Sequence, residues 1–228
     1  MVKLTFIVLV WNEVNTIKQA IEDVQNLEYP NKEIIVIDNN STDGTKEVLR
    51  KIKKIKKIYQ KKNLGAGQST ITGIKKAKGE YIYIQFSDLE YDHKRSIDML
   101  KYAIKNNLDI VLGSRLKNKK SIYKLLLKKP AYLATILTTF LVNIFYKKNF
   151  TDIIGAKLYK TETVKKVPFN SFHTGFDFEF LSRACKRKLR IGEISIKYKA
   201  RANSKDKKIK FYNIFNALYE IFKVKIFE

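Results

Sequence analysis

Asp38 has the residue type and setting of a group that meets a nucleotide. It is delivered by the apolar run Ile34-Ile35-Val36-Ile37 and followed by Asn39-Asn40-Ser41-Thr42-Asp43-Gly44-Thr45. Such a run suits a parallel strand buried on both faces, and in open α/β sheets ligands gather outside the carboxyl ends of these strands. A carboxylate placed there is a pure acceptor, suited to ring N–H or hydroxyl donors. Ser41 or Thr42 is positioned to cap the next helix, with Asp43 in its first turn facing the positive end of the macrodipole. An ordinary capped turn between a strand and a helix has the same composition, so this segment alone leaves both readings open.

The elements around it repeat the pattern. Lys3–Val10 is β-rich and leads through Trp11-Asn12-Glu13 into a helical pattern with Ile17, Ala20, Ile21 and Val24 on one face. Tyr81–Phe86 carries Ser87-Asp88-Leu89-Glu90-Tyr91-Asp92 to the same edge, and Asp109–Leu112 ends in Gly113-Ser114-Arg115. Alternating strands and helices predict an α/β fold with a mostly parallel sheet flanked by helices. The 228 residues are enough for one such domain with a sizeable core. No Pro/Gly/Ser-rich linker and no repeat interrupts them. The single Cys185 cannot form an internal disulfide, which fits a reducing compartment and a buried or half-buried inert thiol. The chain enters a strand directly, so secretion by a signal peptide is not expected.

Taken in order, "WNE", "IDNNSTDGT", "NLGAGQSTITGIKKAKGEYI", "SDLEYD" and "GSR" resemble the family 2 glycosyltransferases of the GT-A, Rossmann-like fold. The stretch "TGFDFEFLSRACKRKLRIGEISIKYKARANSK" is similar to the branch containing dolichyl-phosphate mannose and glucose synthases, and the resemblance runs from Lys3 to about Lys210. It implies one domain over 1–228, with a nucleotide-sugar-binding half at about 1–116 and an acceptor-binding half at about 117–228. It also implies an inverting transfer of a sugar from a nucleotide-diphosphate donor. Asn12 and Glu13 match the family's pair near the nucleotide. Asp38, Asn39 and Ser41 stand where the family commonly has Asp-Asp-Gly-Ser, so Asn39 removes a charge and Asn40 must take over the left-handed conformation that Gly allows.

The family usually neutralises the leaving diphosphate with a metal at an Asp-x-Asp motif. Here Phe86 and Ser87 precede Asp88, and Glu90 follows two residues later. In an extended segment Asp88 and Glu90 point to one side, and together they suit Mg²⁺ or Mn²⁺, with phosphate oxygens and water completing the shell. Phe86 in place of the first carboxylate weakens that site, and Arg115, Arg201 and Lys205 are expected to share the task as phosphate clamps. Asp152 matches a family Asp near sugar and acceptor. In "GFDFEF", Asp177 or Glu179 is a candidate base for a hydroxyl acceptor, while pairing with Arg183 is the alternative. The histidines His93 and His173 lack partners at metal-ligand spacing, and His93 reads as a surface loop residue.

The net charge of +24 admits nucleic acid, anionic membranes or anionic substrates as partners, and a bias toward Lys alongside Ile and Asn accounts for it equally well. Clustered basic residues interleaved with aromatics are not apparent, so no nucleic acid is expected. Tyr132–Tyr146 is uncharged and apolar, with Lys124, Lys128, Lys129, Lys147 and Lys148 around it. As a helix it reaches about 22 Å, short of a hydrocarbon core about 30 Å thick. It reads as an interfacial amphipathic helix, or else as a core or dimer helix. Phe211, Ile214, Phe215, Leu218, Tyr219 and Phe222 repeat the theme at helical spacing. The expected partners are a nucleotide sugar, a polyprenyl phosphate and an anionic membrane surface, with the protein peripheral on the cytoplasmic face. A glycan hydroxyl acceptor and a catalytically impaired nucleotide-sugar-binding scaffold are the competing readings.

Overall fold

A computed structural model describes residues 1–117, 131–168, 175–199 and 213–227. Among the expected site residues, Arg201 and Lys205 lie outside them, as do His173, Lys124, Lys128, Lys129 and Phe211. The elements are β1 (Leu4–Val10), α1 (Ile17–Gln25), β2 (Lys32–Asp38), α2 (Thr45–Lys51), β3 (Lys56–Tyr59), α3 (Gly65–Lys76), β4 (Tyr81–Phe86), α4 (Arg95–Lys105), β5 (Ile110–Ser114), α5 (Ala131–Tyr146), β6 (Ala156–Lys160), α6 (Thr161–Lys166), α7 (Phe176–Lys186), β7 (Ile191–Ser195) and α8 (Asn213–Phe227).

The strands form one sheet in the order β3-β2-β1-β4-β6-β5-β7. All neighbouring pairs are parallel except those made by β6, which runs antiparallel to both β4 and β5. The continuous apolar runs explain the centre of the sheet, because each strand there is covered on both faces. On one face Ile7, Ile35, Ile37 and Ile84 pack against Ile74 of α3 and Phe180 of α7. On the other, Phe6, Val8 and Val36 meet Ile17 and Ile21 of α1 and Met99 of α4. This alternation also sets direction. β1, β2, β4 and β5 all deliver their carboxyl ends to one edge, so the loops carrying Asn12, Asp38, Asp88 and Arg115 share it.

Three strands escape the sequence pattern. β3 is short and Lys-rich and pairs only with β2 at the edge. β6 and β7 come from the second half of the chain and flank β5. Where β6 meets β5, a Cβ on Gly155 would stand 1.9 Å from the Gly113 carbonyl oxygen and 3.1 Å from an Asp152 carboxylate oxygen. Gly155→Ala is therefore expected to lower stability by about 1–3 kcal/mol, the usual range for overpacking, read as a lower urea midpoint. An unchanged midpoint would mean that the two strands separate freely at this point.

Candidate active site

The loops after β1 and β2 are laced together. Asn12 donates its backbone N–H to Ser41 Oγ at 2.9 Å, and its Oδ1 accepts the Thr42 amide at 2.8 Å. Glu13 donates its amide to Thr45 Oγ1 at 3.0 Å, while its carboxylate accepts the Thr16 hydroxyl at 3.0 Å. Asp38 is fully buried, and its two oxygens accept the Ser41 amide at 3.4 and 3.2 Å. It forms the fixed floor of the turn. Asn40 has φ 62°, the left-handed conformation expected of it. Asn39 turns toward α3 instead of the open edge. Its Nδ2 donates to Asn63 Oδ1 at 2.7 Å and its Oδ1 accepts the Leu64 amide at 2.8 Å.

The cap of α2 differs from the expected Ser41 or Thr42. Gly44 occupies the N-cap at φ 97°, and Asp43, just before the helix, accepts the Thr45 amide at 3.0 Å and the Val14 amide at 3.0 Å. Ser41 and Thr42 are engaged by Asn12, which leaves Asp43 as the acceptor nearest the first turn.

Beyond β4 the chain is not extended. Leu89 has φ 59°, so the alternation that was expected to put Asp88 and Glu90 on one side does not apply. Asp88 Oδ1 accepts the Glu90 amide at 3.2 Å, and Glu90 accepts the Tyr198 hydroxyl at 2.6 Å. Phe86 is partly buried and packs beside Tyr91, with ring centroids 6.5 Å apart. An aromatic contact thus occupies the place of the missing carboxylate. Among the described residues no group of three or more His, Cys, Asp or Glu is arranged to hold a metal. A hard ion of the Mg²⁺ type usually takes only one or two carboxylates from a protein, and Asp88 and Glu90 are the two that this loop carries.

Arg115 and Asp152 form the densest part of the site. Arg115 Nε and Nη2 reach the two carboxylate oxygens at 2.6 and 3.0 Å, and the Arg115 amide adds a third bond at 3.0 Å. Asp152 also accepts the amides of Ile154 and Gly155. Burial would raise this carboxyl, but the charge and hydrogen bonds of Arg115 outweigh it and hold Asp152 below the usual carboxylate range. The guanidinium lies over the rings of Tyr132 and Tyr198, 5.3 and 5.4 Å from their centroids. The pair is buried, with 10% and 0% of the two side chains exposed, so it is no surface ion pair.

Tyr91 ties the two halves of the site together. Its hydroxyl is held far above the ordinary phenol range by burial first, then by the charges of Asp152, Asp88 and Glu90, which Arg115 partly opposes. The ring itself packs between Phe86 and Tyr198, with centroids 6.5 and 5.1 Å away. Nothing in the sequence pattern singled out Tyr91, Tyr132 or Tyr198, because their contacts join segments far apart in the chain.

The acidic pair on α7 is engaged. Asp177 meets Lys157 Nζ at 3.0 Å, and Lys157 also donates to the carbonyls of Ile154 and Gly155. Glu179 is buried and pairs with Arg183 at 3.0 Å, one helical turn on. His93 is half-buried instead of lying on the surface, with its Nδ1 3.7 Å from Asp23. Cys185 is a buried free thiol, pushed up to about 12 by burial, as an inert cysteine should be.

This mostly parallel sheet, with polar loops gathered along its carboxyl edge, has the GT-A fold of the solved glycosyltransferases it superposes on. Glucosyl-3-phosphoglycerate synthase from Mycobacterium tuberculosis, in complex with Mn²⁺, UDP and glucosyl-3-phosphoglycerate, superposes with a TM-score of 0.73 at 14% identity, covering 98% of this chain and 80% of that one. The chain belongs to glycosyl transferase family 2, whose model matches residues 5–168. A UDP-N-acetylglucosamine--dolichyl-phosphate N-acetylglucosaminyltransferase of Methanococcus voltae is 28% identical over 218 residues, covering 86% of this chain and 85% of that one. An uncharacterized glycosyltransferase of Rickettsia bellii (strain RML369-C) is 37% identical over 107 residues, 46% of this chain, and the match spans only 16% of that relative.

Proposed function

We propose that the protein transfers a sugar, with inversion, from a nucleotide-diphosphate donor to a polyprenyl phosphate at a membrane surface. The observation that carries this reading is the state of the candidate bases. Asp177 is held by Lys157 and Glu179 by Arg183, and Asp152, the expected contact to sugar or acceptor, is likewise filled by Arg115 and backbone amides. A hydroxyl acceptor needs a group to take its proton, whereas a phosphate monoester is already largely ionised at neutral pH and attacks without one. The name of the Methanococcus voltae relative, with its dolichyl-phosphate acceptor, points the same way.

In this reading the laced loops of Asn12, Glu13, Asp38, Asn39 and Ser41 wall the nucleoside. Arg115, fixed by Asp152 and stacked on two tyrosines, faces the diphosphate as a cation set in place before the reaction. Asp88, with Glu90 beside it, would hold Mg²⁺ or Mn²⁺, which neutralises charge on the departing diphosphate. Arg201 and Lys205 are proposed as further phosphate contacts.

Incubation with labelled nucleotide sugars, UDP-N-acetylglucosamine first, should place label on added polyprenyl phosphate. Label appearing only on glycan hydroxyls would replace the acceptor, and donor binding without transfer would leave an impaired scaffold. Phe86→Asp tests the metal assignment. It removes a ring packed beside Tyr91, so a modest loss of melting temperature is expected, together with a stronger dependence of transfer on added Mn²⁺. A metal response equal to the wild type would place Phe86 away from the ion.

A further inference from the structure

The outer face of α5 is inverted relative to a helix that packs on a core. Thr135, Thr138 and Thr139 face inward and are buried, whereas Leu133, Ile136, Leu137, Phe140 and Ile144 keep 36–60% of their surface in water. The exposed set recurs at helical spacing along the whole helix. α8 lies beside it, joined by an edge-to-face contact of Phe145 and Phe222 with centroids 5.2 Å apart, and exposes its own stripe of Phe215, Tyr219, Phe222 and Ile226. Two adjacent helices thus present one apolar surface, and no helix among the described residues is long and apolar enough to cross a membrane. A contiguous apolar surface of this kind marks an interaction site.

At the carboxyl ends of these helices lies a cavity of about 350 Å³, lined by Tyr146, Lys148, Cys185, Lys186, Lys188 and Lys225. Four of the six lining residues are lysines and none is acidic. Two of the lysines are set in place by helix-end carbonyls: Lys225 donates to Phe145 O at 3.1 Å and Lys186 to Val224 O at 3.3 Å. Lys148 and Lys188 complete the rim, and the positive charge of Lys148 is felt by the buried Cys185 thiol. The cavity is large enough for a small polar ligand. It is also remote from the cleft. Tyr132, near the opposite end of α5, touches Arg115, and the helix between Tyr132 and Tyr146 spans about 21 Å.

We propose that this lysine cavity binds the phosphate headgroup of an anionic bilayer lipid, and that with the apolar α5–α8 surface it forms the membrane-docking face. The site is separate from the one that handles the acceptor. Charge selects the occupant: a second copy of a chain with net charge +24 would bring like charge against four lysines, whereas an anionic bilayer brings phosphates to the rim and acyl chains to the stripe. The inference rests on the membrane part of the proposed function and leaves the donor chemistry aside.

The test is co-sedimentation of the full chain with phosphatidylcholine vesicles, with and without phosphatidylglycerol. The wild type should bind the anionic vesicles. Lys148→Gln/Lys188→Gln should weaken that binding about tenfold or more, given about 1 kcal/mol for each lysine close to an anionic surface. Lys101→Gln/Lys105→Gln on α4, which removes the same charge elsewhere, should stay within about twofold. Leu137→Asp/Phe140→Asp, at exposed positions that spare the core, should abolish binding. Equal losses in the two lysine pairs would overturn the cavity and leave only diffuse charge. Binding of inorganic phosphate without vesicle binding, or a dimer broken by Leu137→Asp/Phe140→Asp without vesicle binding, would overturn the lipid assignment. Transfer to detergent-solubilised polyprenyl phosphate is measured in parallel. If the wild type docks on vesicles but transfers nothing, the acceptor reading fails and the docking face stands.

Discussion

Arg115→Ala is expected to lower stability by about 3 kcal/mol and to remove sugar transfer, the largest combined effect of any single replacement in the cleft. Removing one partner of a buried ion pair costs about 3–5 kcal/mol because the other charge is left in low dielectric. The lower end applies here, since Asp152 keeps the amides of residue 115, Ile154 and Gly155. Arg115→Lys keeps the charge but loses the two-pronged contact and the stacking on Tyr132 and Tyr198, so it should fall between wild type and Ala. Urea unfolding measures the first quantity, and transfer assayed below the variant's melting temperature measures the second. Stability equal to the wild type would make the pair energetically neutral. pH adds a signature. The folded-state value of Asp152 is depressed, so its contribution is complete above the unfolded carboxylate value of about 3.9 and disappears as pH falls through the lower folded value. Wild-type stability should therefore hold through mild acid, and Arg115→Ala should lose this reserve.

Asp88→Ala should reduce the transfer rate by about 100-fold to 1,000-fold, the range seen when one element that stabilises transition-state charge is removed. Its stability should fall by far less than that of Arg115→Ala, because the carboxylate is only partly buried and accepts the Glu90 amide in a short turn. This split separates a role in chemistry from one in folding: a rate loss at unchanged melting temperature assigns Asp88 to the reaction. A rate within about twofold of wild type would move the charge-neutralising role to the cationic residues alone.

The parts of the fold readable in the sequence were those with local causes. Apolar runs marked β1, β2, β4 and β5, and those strands fixed the edge on which Asp38, Asp88 and Arg115 meet. The Glu179–Arg183 pair was legible from helical spacing, while the left-handed Asn40 followed from the resemblance, which puts a Gly at that position. What stayed hidden depends on contacts across the chain. Arg115 and Asp152 are 37 positions apart, and Tyr198 reaches Glu90 across 108. β3 is Lys-rich and β6 contains a buried Lys157, so neither shows the apolar pattern of a central strand. Leu89 adopted a conformation that its type disfavours, which undid an argument from strand alternation.

The antiparallel insertion of β6 also sets which strands depend on a late segment for their pairing. β1, β2, β3 and β4 find their partners among themselves, so this part of the sheet can close from the first segments to emerge during synthesis. Among the described residues the strand partners of β5 are β6 and β7, both made later. β6 is thus the strand that joins β5, and the Arg115 that follows it, to the rest of the sheet, so the two halves of the cleft are held in register through a segment made after both.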